Sequence, residues 1–131
     1  HYNLSDRGFE EAVLKFPDHT ILVFSDDISW CKEQEMFSDE RFRFSETKDG
    51  KVVTRDGRWE SNNMDHWYDL CLQSLCDDNI ISNSTFSWWG AYLNNNPDKT
   101  VIAPDPKTKW FGPANAHLNT KDVIPESWVL L

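Results

Sequence analysis

The chain has 131 residues, 39% hydrophobic and 14% aromatic, enough for one ordinary domain with a real core and too apolar for an acidic disordered tail. Its 22 acidic and 13 basic residues give a formal charge of −9, a field that repels nucleic acid and anionic membrane and argues against either as a partner. No apolar run approaches the roughly 20 residues that cross a bilayer, no basic-then-apolar signal peptide opens the sequence, and the start His1-Tyr2-Asn3 reads as a piece of something longer.

Taken in order, Ser5 and Asp6 followed by Phe9, Ala12, Val13 and Phe16 predict a capped helix that stops before Pro17. Thr20 to Phe24 is a continuous β-branched and aromatic run, the pattern of a strand covered on both faces. Ser25-Asp26-Asp27 then opens a second helix, Ile28 to about Met36, with Ile28 and Cys31 facing inward. Arg41 to Phe44 alternates as a short strand does. Between Glu46 and Arg58 the charge rises and no period survives, so a loop or irregular hairpin is expected, Lys51 to Thr54 being its strand-like part.

Met64, Trp67, Tyr68, Cys71, Leu72 and Leu75 recur at three- and four-residue spacing, which predicts an amphipathic helix over 63–76 whose apolar face packs on the sheet. Asn79 to Ser82 reads as a buried strand, and Ser84 to about Asn95 as a helix that Pro97 prevents from continuing. Thr100 to Ala103 is another buried-type strand, ended by Pro104 and Pro106. The proline-rich remainder, through Trp110 to Leu131, is expected to close over the sheet edge. Helices alternating with short apolar strands indicate one α/β domain over 1–131, built on a parallel sheet with right-handed crossovers.

Ligands of open α/β sheets sit beyond the carboxyl ends of the strands, and three such ends are polar here: Ser25-Asp26-Asp27, Asn83-Ser84-Thr85 and Ala103-Pro104-Asp105. At the second, a helix that starts with good N-cap chemistry directs unpaired N–H groups and a positive dipole end at an anion such as phosphate. Two readings stand at each end. Ser84 and Thr85 serve as caps or as ligand groups; Asp26 and Asp27 cap a helix, or bind a ribose, a guanine edge or a cation. Asp69, near the apolar side of its helix, is either a structural or surface carboxylate or an acceptor for a base. Trp88 and Trp89 point to different sides of one helix, so one can pack in the core while the other stacks on a sugar or base.

His1, His19, His66 and His117 are scattered, without metal-ligand spacing. Glu33 and Glu35 read as a solvated helix face, and Cys31, Cys71 and Cys76 as reduced packing residues, neither a disulfide framework nor a zinc site.

Asn83-Ser84-Thr85-Phe86-Ser87-Trp88-Trp89-Gly90-Ala91 resembles the signature near the C-terminus of GDP-fucose-dependent alpha-1,2-fucosyltransferases. Three further segments are similar to that family in the same order: Phe24-Ser25-Asp26-Asp27-Ile28-Ser29-Trp30, the helix Asp69 to Cys76, and Val101-Ile102-Ala103-Pro104 with Lys109-Trp110-Phe111. The resemblance implies a Rossmann-like parallel sheet flanked by helices, the C-terminal, donor-binding half of a GT-B-like, metal-independent, inverting glycosyltransferase. It places Ser84, Thr85, Phe86 and Ser87, flanked by Asn83 and Trp88, around the diphosphate and fucose, and Asp69 on the nucleotide; Asp26 and Asp27 are carried over as further substrate-binding positions. GDP-fucose and a glycan acceptor are the implied partners, with no cofactor.

The family also has an HxRRxD segment whose arginine faces the donor phosphates, and this sequence holds no Arg-Arg pair. The implied role is therefore the donor half alone, without the acceptor half and inactive in isolation. Two non-catalytic readings compete. A receiver-like signalling domain needs a lysine at the end of its last strand, which Thr100 to Pro104 lacks. A glycan- or nucleotide-binding domain derived from the transferase fold stays open.

Overall fold

The computed structural model describes residues 6–45, 52–53, 59–60, 65–106, 113–115 and 117–131. They group into two compact units, one from His1–Phe16 with Leu70–Leu131 and the other from Pro17–Asp69. Ser5, Met64 and the Lys109-Trp110-Phe111 segment lie outside the described residues.

In the first unit, three parallel strands form a sheet in the order β5 (Asn79–Ile80), β6 (Val101–Ala103) and β7 (Val129–Leu130). Asn79 pairs with Val101 and Ile80 with Ile102; Ile102 in turn pairs with Val129 and Ala103 with Leu130. Helices cover both faces because strand side chains alternate. Val101 and Ala103 meet Ile81, Trp128 and Ala91 of α4 (Thr85–Tyr92), while Ile102 meets Ala12 and Phe16, on and just beyond α1 (Asp6–Val13). All three β6 residues are within 1% of full burial, which explains their uninterrupted apolar run. The tail covers the β6 edge of the sheet, as expected, and does so as a strand. It adds β7 as a parallel strand, anchored by Trp128 in the core and by Leu131 N–H donating to Ala103 O at 3.0 Å.

In the second unit, β1 (Ile21–Val23) pairs in parallel with β2 (Phe42–Phe44), Ile21 opposite Phe42 and Val23 opposite Phe44. Between them lie α2 (Ile28–Glu33) and a 3-10 turn, Glu35–Phe37, so the second helix ends earlier than its sequence suggested, where Gln34 turns to extended backbone. Phe37 packs edge-on to Phe42 and Phe44, with ring centroids 5.3 and 6.4 Å apart, and Cys31 is buried as expected. β1 departs from expectation: its three residues are half-buried, because among the described residues β2 is its one strand neighbour. β3 (Val52–Val53) lies within the strand-like part read at Lys51 to Thr54 and pairs antiparallel with β4 (Trp59–Glu60), a strand the sequence reading did not include. The described parallel strands thus pair as two sheets, not one.

The largest correction concerns α3 (Asp65–Ser74). Its predicted apolar face does not pack on a sheet: Trp67, Tyr68, Leu72 and Leu75 are 43–79% exposed, and Cys71 is also exposed. The inward residue is Gln73, 8% exposed, which lies against Gly90 of α4. A glycine lets a neighbouring helix come close enough that a polar side chain, and not the aromatic stripe, fills the interface.

All three cysteines are free thiols; Cys31 is buried and Cys76 half-buried, but Cys71 is exposed and is not the packing residue its sequence reading made it. Burial, reinforced by the Asp77 carboxylate, pushes the Cys76 thiol above its usual range, and its Sγ donates to Leu72 O at 3.3 Å. A raised pKa means less thiolate at any given pH. With iodoacetamide at mildly alkaline pH, peptide mapping should find Cys71 alkylated first and Cys76 later, the order reversing only if the α3 end is open.

Candidate active site

α4 begins where β5 ends. Beyond Ile80, Ile81 N–H still donates to Ile102 O at 2.9 Å, and the chain then leaves the sheet through Ser82 and Asn83. Ser84, with extended backbone (φ −113°, ψ 131°), is the N-cap, as its residue type foretold: its hydroxyl accepts from Phe86 N–H at 3.3 Å and its carbonyl from Trp88 N–H at 3.0 Å. The Ser87 hydroxyl turns back to Ser84 O at 3.1 Å and Ser82 O at 3.4 Å, tightening the turn. Thr85 and Ser87 lie in the first turn, where N–H groups have no intrahelical acceptor. Thr85 and Phe86 are exposed and Asn83, Ser84 and Ser87 half-buried, so the turn is open to a ligand.

The two tryptophans divide as the sequence allowed. Trp88 donates its indole N–H to Val123 O at 2.8 Å, stacks on Tyr92 at 4.8 Å and leans on Trp128 at 5.7 Å. That anchors the helix to the core. Trp89 is 50% exposed and Tyr92 53%, their rings edge-to-face at 5.7 Å, so they carry the open aromatic surface of α4.

At the carboxyl end of β1, Ser25 Oγ accepts from Asp27 N–H at 3.0 Å, and the Asp27 carboxylate accepts from Trp30 N–H at 2.9 Å. Asp27 is therefore the α2 N-cap, the bland of its two sequence readings, while Asp26 is exposed beside it. Asp69, on α3, is half-buried and accepts from the Ser45 hydroxyl at 2.6 Å. Ser45 escaped the sequence reading, yet the signal was there: like Ser25 it is the serine just past a strand. The structure thus joins Asn83 through Trp88 in one turn and Asp69 to Ser45. Asp105, past β6, is tied to the sheet by its N–H donating to Leu131 O at 3.0 Å.

Among the described residues no group of three or more His, Cys, Asp or Glu is arranged to hold a metal ion, and no helix is long and apolar enough to cross a membrane.

Comparison with known proteins bears on what such a turn does. An alpha-1,2-colitosyltransferase of Escherichia coli is 39% identical over 115 residues, 88% of this chain and 33% of that protein. The O-antigen biosynthesis glycosyltransferase WbnK of Escherichia coli is 35% identical over 130 residues, 94% of this chain and 35% of that protein. The chain spans about a third of the length of these relatives. No solved structure gives a significant match. The profile of glycosyl transferase family 11 matches residues 1–120, and the chain belongs to that family.

Proposed function

We propose that this chain is the donor-nucleotide part of an inverting, metal-independent glycosyltransferase that moves fucose from GDP-fucose to a glycan hydroxyl. In this reading it forms the C-terminal, Rossmann-like half of a GT-B-like enzyme, and the acceptor half and the upstream HxRRxD segment belong to other parts of the same protein. The observation that carries it is the Asn83–Ser87 turn, a capped helix start at the carboxyl end of a parallel strand, within a chain of family 11. The two relatives named above are sugar transferases by name, one of them for colitose, so the fucosyl donor is the finer part of the proposal.

The physics favours this turn as the diphosphate site. A net charge of −9 repels a nucleotide sugar at long range, so binding has to come from short-range donors. First-turn amides and the dipole of α4 contribute about 0.3–1 kcal/mol each way they are used, more where partly buried. The Thr85 hydroxyl adds a neutral donor without a desolvation cost as large as a lysine's, while the Ser87 hydroxyl, given to Ser84 O and Ser82 O, holds the turn in shape. Asn83 and Phe86 flank the turn and Trp88 anchors it to the core, while Asp69, Asp26 and Asp27 of the second unit are proposed as further substrate-binding positions.

In the whole enzyme an acceptor hydroxyl attacks the anomeric carbon, the bond to GDP breaks, and the configuration inverts. Charge builds on the departing diphosphate, so fixed N–H donors and the upstream arginine stabilise the transition state more than the ground state. This chain alone is expected to bind GDP weakly and to transfer nothing.

Calorimetric titration with GDP and GDP-fucose, without added metal, tests the reading. Ser84→Ala and Thr85→Ala should each weaken binding about 5- to 10-fold, the equivalent of about 1–1.4 kcal/mol. A chain that binds no GDP would favour a non-catalytic glycan-binding domain and overturn the donor assignment. Stronger binding of a colitosyl donor than of GDP-fucose would keep the site and change the sugar.

A further inference from the structure

We propose that the outer face of α4, formed by Trp89, Tyr92 and Leu93, is an interface that a further part of the same polypeptide buries; the reading above enters only in that the protein extends beyond these residues. Trp89 is 50% exposed, Tyr92 53% and Leu93, at the C-cap, 48%. Their spacing of i, i+3 and i+4 puts them on one side of the helix. The other side is packed: Ala91 and Trp88 meet the core, and Gly90 meets Gln73 of α3.

The composition of α4 is that of a helix packed all round. In a chain with 27% charged residues, none stands between Asn79 and Pro97. A helix at a water boundary turns charged and polar residues outward, whereas one that is apolar on every side is buried. α1 follows the first pattern in the same unit, with Ala12 buried and Glu10 and Glu11 exposed. α4 has the second composition and one exposed apolar side. That side is preformed, because Trp88 stacks on Tyr92 at 4.8 Å and meets Trp89 edge-on at 5.0 Å, so covering it orders little that is not already ordered. β7 adds an independent sign. Val129 and Leu130 are 37% and 46% exposed and point to opposite faces, so a parallel sheet, ordinarily covered on both, is open on both at this strand.

The choice of occupant follows from length, charge and chemistry. The chain spans about a third of the length of its named relatives, so a protein of their size has twice as much polypeptide again to place. A linked segment meets α4 at an effective concentration of roughly millimolar order and needs no large area. Free association takes about 20–30 residues a side, far more than this face supplies. Two copies of the chain, each at −9, also repel one another. A glycan is held by convergent hydrogen bonds, and this face brings one indole N–H and one phenol O–H. The occupant is therefore an apolar surface of the same polypeptide, without charge where it meets α4.

Hydroxyl-radical footprinting of the 131-residue chain and of the full-length polypeptide, made from its complete reading frame, tests this. Trp89 and Tyr92 should oxidise about fivefold more slowly in the full-length protein, where burial takes them out of water. Trp89→Glu should leave the thermal midpoint of the 131-residue chain within about 3 °C and lower that of the full-length protein by about 5 °C or more, because only there is the carboxylate buried. Trp89→Phe, which keeps the face apolar, should change neither midpoint by more than about 3 °C. Equal oxidation rates in the two proteins, equal losses from Trp89→Glu, or a reading frame no longer than the chain would each overturn the inference. Slower oxidation of the chain as its own concentration rises would give the face to a second copy, and slower oxidation with added maltotriose would give it to a glycan; either result overturns it. No step contains a nucleotide, so a failure of GDP binding bears on the donor site and leaves this result readable.

Discussion

Replacing Asn94 by leucine is expected to lower the unfolding free energy by about 2–4 kcal/mol, the cost of stranding two or more buried polar groups. Asn94 is 4% exposed and closes a network at the amino end of β5, the end of the sheet away from α4's first turn. Its Nδ2 donates to Cys76 O at 2.7 Å and to Asn79 Oδ1 at 2.8 Å, and Asn79 Nδ2 donates in turn to Gln73 O at 2.8 Å. Its Oδ1 accepts from Asn96 N–H at 2.9 Å, and Lys99 Nζ reaches both Asn94 O and Ala91 O, neutralising the carbonyl end of α4. Leucine matches the size of asparagine and offers none of these bonds. A shift of roughly 10 °C in the thermal midpoint follows for a domain of this length. Asn79→Ala should cost nearly as much, and Asn79→Ala/Asn94→Ala far less than the sum, because both remove the same shared bond. Additive losses, or a change below about 1 kcal/mol in Asn94→Leu, would show that water substitutes for the network.

Gly90→Ala should also destabilise, by about 1–3 kcal/mol, although alanine is favoured over glycine by about 1 kcal/mol in a free helix. A Cβ at position 90 would meet Gln73 Cβ at 2.8 Å and Cδ at 3.1 Å, and would come closer still to Oε1. The amide end of Gln73 can swing away, but its Cβ is fixed to the backbone of α3, so the two helices must separate. Gly90→Ala in a Gln73→Ala background should therefore recover part of the loss and not all of it, while Gln73→Gly should recover more. Denaturant unfolding of Gly90→Ala, of both Gln73 single variants and of the two double variants measures this directly; full recovery in Gln73→Ala would mean that the amide alone is the obstacle. Since Ser84 caps α4, moving the helix away from α3 should weaken GDP binding too, though its first turn is untouched.

The end of α4 illustrates why parts of the fold were legible and others were not. Ser84 was readable as a cap because capping is local: a hydroxyl, a turn and a helix start need only three neighbouring residues. The other end was read as Asn95 before Pro97, yet the helix stops at Tyr92, since Asn94 is drawn into bonds with residues 15 and 18 positions earlier. The same contrast holds in the candidate site. Asp27 as a cap follows from its position before Ile28, whereas Ser45 and Asp69, 24 residues apart, come together only once β2 pairs with β1 and α3 packs near it.

By itself the sequence determined the order of α1, β1, α2, β2, α3, β5, α4 and β6, the starts of α2 and α4, the buried run at Val101–Ala103 and the family likeness carried by Asn83 to Ala91, all of which rest on local propensity, short-range periodicity or contiguous motif. Only the tertiary structure decided that α3 turns Gln73 inward and leaves Trp67, Tyr68, Leu72 and Leu75 exposed, that the tail supplies β7, and that Ser45 reaches Asp69. A helical period says that an apolar stripe exists; the shape of the opposing surface, here a glycine that admits a close neighbour, determines which side is buried.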